Sequence, residues 1–221
     1  MIIGQTHKFI FIHVYKVAGT AIRKYLIDNG LGVRGHTVYP QIGENNPHIK
    51  AADLRALIPA EVYDGYFKFA FVRNPWDFEC SMYNYGVQND FFPQHELFKS
   101  FGSFKRYIKH KYYKHLEWTQ SDRYDPNWGQ QKDFVTDKDG TVIVDYVGRY
   151  ELLQPDFRAI RRRIGLPAET PLPVVNSSRH ARYTSVYDSA SIEHVARIHA
   201  NDIAAFGYTF DGVQGQGEAD A

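Results

Sequence analysis

A chain of 221 residues that is 43% hydrophobic, 15% aromatic and 23% charged is too apolar for a mainly disordered protein and long enough for one sizeable core. Its formal net charge of +1 excludes general coating of nucleic acid, which needs an extended basic surface, so any basic function must be local. Cys80 is the one cysteine and the ten histidines show no HExxH spacing, which leaves no disulfide framework, no thiolate zinc site and no expectation of a metal. No charged segment followed by an apolar stretch opens the sequence, and no apolar run approaches the ~20 residues of a membrane helix. A soluble cytoplasmic protein without membrane insertion is expected if the chain is complete. A Golgi-lumenal domain cut from a longer protein would read the same.

In chain order, KFIFIHV (8–14) is a nearly continuous apolar run, the pattern of a parallel strand covered on both faces. It stops at Lys16 and crosses a turn at Gly19. Ile22, Leu26 and Ile27 then give a short helical stripe ending before Gly30. Residues 31–50 are rich in Gly, Pro and Asn and read as an irregular connection, followed by a short helix at 53–57 that Pro59 ends. FKFAFV (67–72) is a second strand, running into Arg73-Asn74-Pro75, where Asn74 suits a helix cap and Pro75 its first turn. Phe101, Phe104, Ile108, Tyr112 and Leu116 form one helical stripe, with Lys105, Lys109 and Lys114 on the opposite face. TVIVDYVG (141–148) is a third strand and 157–164 a further helix. Ile192, Val195, Ala196, His199, Ile203 and Phe206 mark one last amphipathic helix closed by Gly207. Strands alternating with helices imply an α/β sandwich around a mostly parallel sheet, as a single domain over 1–210 with a fraying tail at 211–221.

The turn after the first strand has the makings of an anion site. A helix N-terminus offers unpaired N–H groups and a positive dipole end, so Val17, Ala18, Gly19, Thr20 and Ala21 are placed to surround a phosphate. Gly19 permits close approach, Thr20 adds a hydroxyl and Lys16 a full charge. The order is not that of a Walker A loop, since the lysine precedes the glycine by three residues. Taken alone, an ordinary strand–turn–helix with a solvated lysine explains it better. Arg73, at the end of the second strand, has a fork of donors suited to a second phosphate, and Ser81 lies eight residues on. Ligands bind at such strand ends in open α/β sheets.

Together, FIHVYKVAGTAI (11–22) and FKFAFVRNPWDFECSMYNY (67–85) resemble the 5′-phosphosulfate loop and 3′-phosphate segment of carbohydrate sulfotransferases that use 3′-phosphoadenosine 5′-phosphosulfate (PAPS). HIKAADLRALI, GQQKDFVTDKDGTVIVDYVGRYELLQPDF, LPVVNSSR and IAAFGYTF extend the resemblance over most of residues 8–210. Two positions depart from the family pattern: Tyr15 stands where proline usually precedes the lysine, and Phe78 where a second arginine often follows Arg-Asn-Pro.

The resemblance implies a P-loop-like three-layer sandwich and sulfuryl transfer from PAPS to a hydroxyl of a carbohydrate or other acceptor, without a metal. It also implies Lys16 stabilising the leaving nucleotide and residues 17–21 binding the phosphosulfate. Arg73 and Ser81 would bind the 3′-phosphate. Asn176, Ser177, Ser178 and Arg179, after a Pro-rich stretch, suit either closing over the donor or a solvated polar loop. His48 falls where the family has a histidine facing the sulfuryl group, and a base titrating near neutrality is what a hydroxyl acceptor needs. His36 is the second candidate and His13 is read as structural. Glu151 suits either orienting Lys16 or starting a helix. The basic aromatic stretch 105–115, with Trp118 beyond it, suits either an acidic glycan or a solvated helix face. Two other classes remain open, a nucleotide-dependent phosphotransferase and a non-catalytic nucleotide- or glycan-binding module.

Overall fold

Strong apolar runs become buried strands in the structure, a computed structural model that describes residues 1–118, 130–166, 172 and 182–213. Two compact units emerge, one comprising Met1–Arg73 and Gln131–Asn176 and the other Asn74–Gln130 and Ser177–Ala221. Of the expected closing residues, 176–179 lie outside the described residues, as does the tail from 214 on.

The first unit is built on a five-stranded sheet in the order β3-β1-β2-β4-β5, made of β1 (Ile2–Gly4), β2 (Phe9–Phe11), β3 (Val33–Arg34), β4 (Phe67–Val72) and β5 (Tyr146–Arg149). β2, β4 and β5 run parallel, with Phe11 opposite Phe69 and Phe69 opposite Tyr146. β1 and β3 are antiparallel additions on the other edge, so the sheet is mixed. Phe9, Phe11, Phe69 and Phe71 are fully buried, and Phe11 stacks on Phe69 at 5.2 Å. The hydrogen-bonded strand is shorter than the apolar run 8–14. Ile12 still donates to the Phe69 carbonyl at 2.9 Å before the chain leaves the ladder. The run 141–148 also divides. Thr136 and Val142 pair across a turn at Gly140, and only from Tyr146 does the chain join β4. Asp145 marks the change, taking the Lys68 backbone N–H at 2.7 Å and its ammonium at 2.8 Å.

Helices flank this sheet: α1 (Gly19–Asp28), the one-turn α2 (Gly35–Val38), α3 (Ala51–Leu57), α4 (Ala60–Gly65) and, after β5, a helix at Leu153–Arg163. Tyr25 of α1 meets Phe157 of that last helix edge-on at 5.4 Å, which fixes the two helices against each other through buried aromatic surface.

The second unit starts with α5 (Pro75–Gln88). Asn74 caps it as expected, accepting the Trp76 N–H at 3.1 Å. α6 (His95–Ser100) and α7 (Phe104–Trp118) follow, and Phe98 packs on Tyr107 with ring centroids 5.1 Å apart. With the Leu153–Arg163 helix numbered α8, the expected single helix 192–206 is two, α9 (Ser189–Ile198) and α10 (Ala200–Phe206). They divide at His199, which is fully buried and reaches Glu79 of α5 at 2.6 Å and Asp202 of α10 at 3.1 Å. Lys111 of α7 pairs with the same Glu79, and the Tyr107 hydroxyl donates to it at 2.6 Å. Burial alone would raise the Glu79 pKa, but Lys111 and His199 outweigh it and hold the carboxyl at about 2. Burial likewise opposes a charged His199, and its bonds to Asp202 and Glu79 prevail and raise its pKa.

Phe78 belongs to this core. Its ring is buried, edge-on to His199 at 5.8 Å and 5.9 Å from the Lys111 ammonium, so a second arginine here would add a cation to two already present.

Candidate functional site

The turn between β2 and α1 is conformationally unusual. Lys16 (φ 55°) and Ala18 (φ 62°) both adopt left-handed backbone, which costs a non-glycine residue roughly 1–2 kcal/mol and is concentrated at functional sites. Ala18 is the residue before α1, and no side chain caps the helix there. No acidic residue stands in the first turn either. The helix start thus keeps its N–H groups and its positive dipole end for an anion, in a concave backbone that alternation through left-handed residues produces. Val17, Gly19 and Ala21 are buried, Ala18 is half-buried and Thr20 is exposed at the mouth.

Gly19 is required for a reason that the sequence did not disclose. A Cβ on it would lie 1.9–2.0 Å from Cδ2 and Nε2 of His13, whose buried ring packs directly on the turn. Burial first, and then the neighbouring His48, hold His13 well below 6.5, so it is a neutral ring supporting the loop from beneath.

His48 stands at the same place. Its Nδ1 lies 2.8 Å from the His13 carbonyl oxygen, which can only accept, so Nδ1 carries the hydrogen and the neutral ring keeps its lone pair on Nε2. The imidazole is held between two rings, stacked on Tyr15 at 3.8 Å and tilted against His13 at 4.3 Å. Tyr15 in turn meets Phe134 edge-on at 5.7 Å. The tyrosine at the usual proline position is therefore a platform for His48. Burial depresses the His48 pKa from 6.5 to about 4, partly offset by the bond to His13 and reinforced by the charges of the Met1 ammonium and then Arg23. The expectation of titration near neutrality is thereby revised downward: the ring is a neutral acceptor throughout the physiological range.

Two cations border the turn. Burial, and then the charge of Arg73, lower the Lys16 pKa to about 8, so the ammonium is mostly protonated at pH 7 and readier than usual to share its proton. Arg73 is buried. Its Nη1 donates to the Lys16 carbonyl at 3.2 Å, and its guanidinium lies 3.9 Å from the centre of the Tyr150 ring. Gln131 braces its backbone from both sides, accepting the Arg73 N–H and donating to its carbonyl, each at 2.8 Å. Tyr150 and Gln131 were not singled out by the sequence, although both lie in stretches that carry the resemblance.

Lys16, residues 17–21, His48 and Arg73 are thus brought together in the first unit. Ser81 is buried on α5 in the second unit, and Ser178 and Arg179 lie outside the described residues. His36 is half-buried on α2, and Glu151 is exposed on the short turn after β5. In the stretch 105–115, Tyr112 stacks on His194 at 4.1 Å and Lys111 is buried, which removes both from a free glycan-binding face.

A family model described as "Sulfotransferase family" matches residues 1–209. The chain belongs to that family. An uncharacterized protein of the archaeon Archaeoglobus fulgidus is 30% identical to this sulfotransferase-family chain over 135 residues, which are 60% of this chain and 95% of that protein. No solved structure matches. Among the described residues, no group of three or more His, Cys, Asp or Glu side chains is placed to hold a metal ion, and no helix is long and apolar enough to cross a membrane.

Proposed function

We propose that this sulfotransferase-family chain transfers a sulfuryl group from PAPS to a hydroxyl of a carbohydrate acceptor, on a P-loop-like three-layer sandwich spanning residues 1–210 as one sulfotransferase domain. The observation that carries the reading is the turn at 15–21: an uncapped helix start in left-handed backbone, bordered by Lys16 and Arg73, with His48 fixed beside it by its stack on Tyr15. That is an anion site adjoining an oriented base.

PAPS, when bound, supplies an activated sulfuryl group. The N–H groups of residues 17–21 and the Lys16 ammonium hold its phosphosulfate end, and Arg73 supplies the fork of donors for its 3′-phosphate. Ser81 enters this assignment only through its place eight residues after Arg73 in the sequence. His48 Nε2 accepts the proton of the acceptor hydroxyl as the oxygen takes the sulfuryl group, and Lys16 offsets the charge left on the departing phosphate oxygen. Preorganised donors of this kind contribute about 10²–10³ in rate, and a positioned base a further ~10²–10⁴. A base near pH 4 is weak in isolation. Anionic charge at the adjoining turn favours the protonated ring and so strengthens it when it is needed.

The test is incubation of the protein with radiolabelled PAPS and a panel of glycans and small hydroxyl compounds, alongside thermal shifts with 3′-phosphoadenosine 5′-phosphate (PAP) and with ATP plus magnesium. Labelled acceptor and stabilisation by PAP are expected. Stabilisation by ATP–magnesium alone would point to a phosphotransferase, and PAP binding without transfer to any acceptor would point to a binding module.

A further inference from the structure

Arg73 begins where the sheet ends. Val72 is the last residue of β4 and lies opposite Arg149, the last of β5, so Arg73 and Tyr150 leave the two parallel strands side by side. That shared exit brings the Tyr150 ring against the guanidinium, 3.9 Å from it. Past the end of a ladder, a backbone N–H and C=O that stay buried must find other partners or cost stability.

One side chain meets both. Gln131 Oε1 accepts the Arg73 N–H and its Nε2 donates to the Arg73 carbonyl, each at 2.8 Å. A backbone N–H only donates and a carbonyl only accepts, so these two partners fix which way the amide faces. The carboxamide imitates the peptide group of a neighbouring strand and lengthens β4 by a rung. Other side chains do not replace it. Methionine has neither group, glutamate has no donor for the carbonyl, and asparagine is a methylene too short to span both. Gln131 is itself buried, so its orientation is held by packing as well as by the two bonds.

The consequence falls on the guanidinium. A fixed backbone at Arg73 sets the direction in which its side chain leaves the strand. The face of Tyr150 sets the plane of the fork, and the bond from Nη1 to the Lys16 carbonyl, 3.2 Å, sets its rotation in that plane. An arginine on a free backbone must lose its rotamer freedom when a ligand arrives. Here that ordering is complete before any ligand binds.

We propose that Gln131 is a positioning residue for the 3′-phosphate arm: by supplying the missing rung beyond β4 it aims Arg73, and so sets how strongly a nucleotide with a 3′-phosphate is preferred over one with a 3′-hydroxyl. This rests on the PAPS reading, because it needs a 3′-phosphate at Arg73. Gln131 acts through Arg73 alone. Its loss leaves the guanidinium charge in place and removes only its aim.

The adjacent Gln130 is a natural control. It makes the same pair of bonds within the second unit, donating from Nε2 to the Ile198 carbonyl at 2.7 Å and accepting the Asp202 N–H on Oε1 at 3.1 Å, across the break between α9 and α10. Replacing it costs the fold a comparable pair of bonds without touching Arg73.

Titration calorimetry with PAP and with adenosine 5′-monophosphate, which differs from PAP only in lacking the 3′-phosphate, gives the affinity ratio for each protein. Wild type, Gln131→Met, Gln131→Asn, Gln130→Met, Arg73→Ala and the double variant Arg73→Ala/Gln131→Met are compared, with thermal unfolding of each. Gln131→Asn is smaller and still polar, so it serves where Gln131→Met does not fold. Both Gln131 variants should lower the ratio roughly three- to tenfold, the cost of ordering a mobile arginine on binding, with affinity for adenosine 5′-monophosphate unchanged. Gln130→Met should lower the melting temperature and keep the wild-type ratio. In the Arg73→Ala background Gln131→Met should change the ratio no further. A wild-type preference for PAP that survives in the Gln131 variants overturns the positioning role and leaves the donor reading standing. Equal weakening of both nucleotides, or a further fall in the ratio without Arg73, overturns it as well, since the effect would then not pass through the arginine. Equal binding of the two nucleotides by the wild type removes the donor reading, and the role of Gln131 with it.

Discussion

Replacing His48 with glutamine removes the titrating ring and keeps a side-chain N–H able to reach the His13 carbonyl. The structure sets the size of the effect in two ways. As a base, His48 should contribute ~10²–10⁴ to turnover, so His48→Gln is expected to lose at least a hundredfold in kcat with PAP affinity intact. As a titrating group, its fall from 6.5 to about 4 corresponds to ~3 kcal/mol against the charged ring. In the wild type, kcat/KM for PAPS, which reports the donor-free enzyme, should therefore keep its plateau down through pH 6 and fall below about pH 4, with a basic limb near 8 from Lys16. The same ring also affects folding. The unfolded chain takes up a proton at about 6.5 that the folded ring refuses until about 4, so this contribution to stability is complete above 6.5 and is lost as the pH falls through that window. His48→Gln should flatten part of that loss, His13 retaining its own share in the same direction. Sulfuryl transfer followed from pH 4 to 9, together with thermal unfolding over the same range, reads both effects. An acid limb centred near 6.5, or a His48→Gln enzyme within tenfold of wild type, would refute the assignment of a buried neutral base.

Gly19→Ala should lower thermal stability by the ~1–3 kcal/mol of an overpacked contact, because the new Cβ meets the buried His13 ring; His13→Ala in the same chain should recover part of it, and an unchanged melting temperature would refute the contact. Tyr15→Ala removes the ring that stacks on His48, and a loss of up to about tenfold in kcat with unchanged PAP binding is expected from an aromatic contact of ~0.5–1.5 kcal/mol. Lys111→Met leaves Glu79 buried with one cation fewer, so urea unfolding should show about 3–5 kcal/mol of destabilisation, reduced when Glu79→Gln is added. Equal losses with and without Glu79→Gln would show that the pair is not the origin.

Much of the frame was legible because it rests on local pattern. FKFAFV coincides with β4, and Asn74-Pro75 starts α5 where the cap and the fixed φ of proline place it. β1 and β3, of three and two residues, are too short to display any period, and their pairing depends on β2. The split of 192–206 at His199 was hidden as well. The apolar stripe runs on through it, and what interrupts the helix is a tertiary ion network with Glu79, far away in sequence. The site shows the same division. The turn at 16–21 and Arg73 were visible as residue types at strand ends. The Tyr15–His48–His13 stack and the Gln131 brace on Arg73 were not, because they join segments separated by tens of residues. Even the conspicuous Gly19 was open to only half its explanation, since the ring that fills the space beside it is already in the sequence at His13 but nothing local says that it turns inward.

The donor assignment is tested most directly by titration calorimetry of PAP and of adenosine 5′-phosphosulfate, which lacks the 3′-phosphate, against wild type and Arg73→Ala. Arg73 is buried and fixed by Gln131 and Tyr150, so its fork is preorganised, and losing charge-assisted bonds to a phosphate costs about 1.5–3 kcal/mol. The account predicts that Arg73→Ala weakens PAP by roughly 10–100-fold at 1.4 kcal/mol per decade while adenosine 5′-phosphosulfate changes far less. Equal weakening of the two ligands, or no binding of PAP to the wild type, would contradict it.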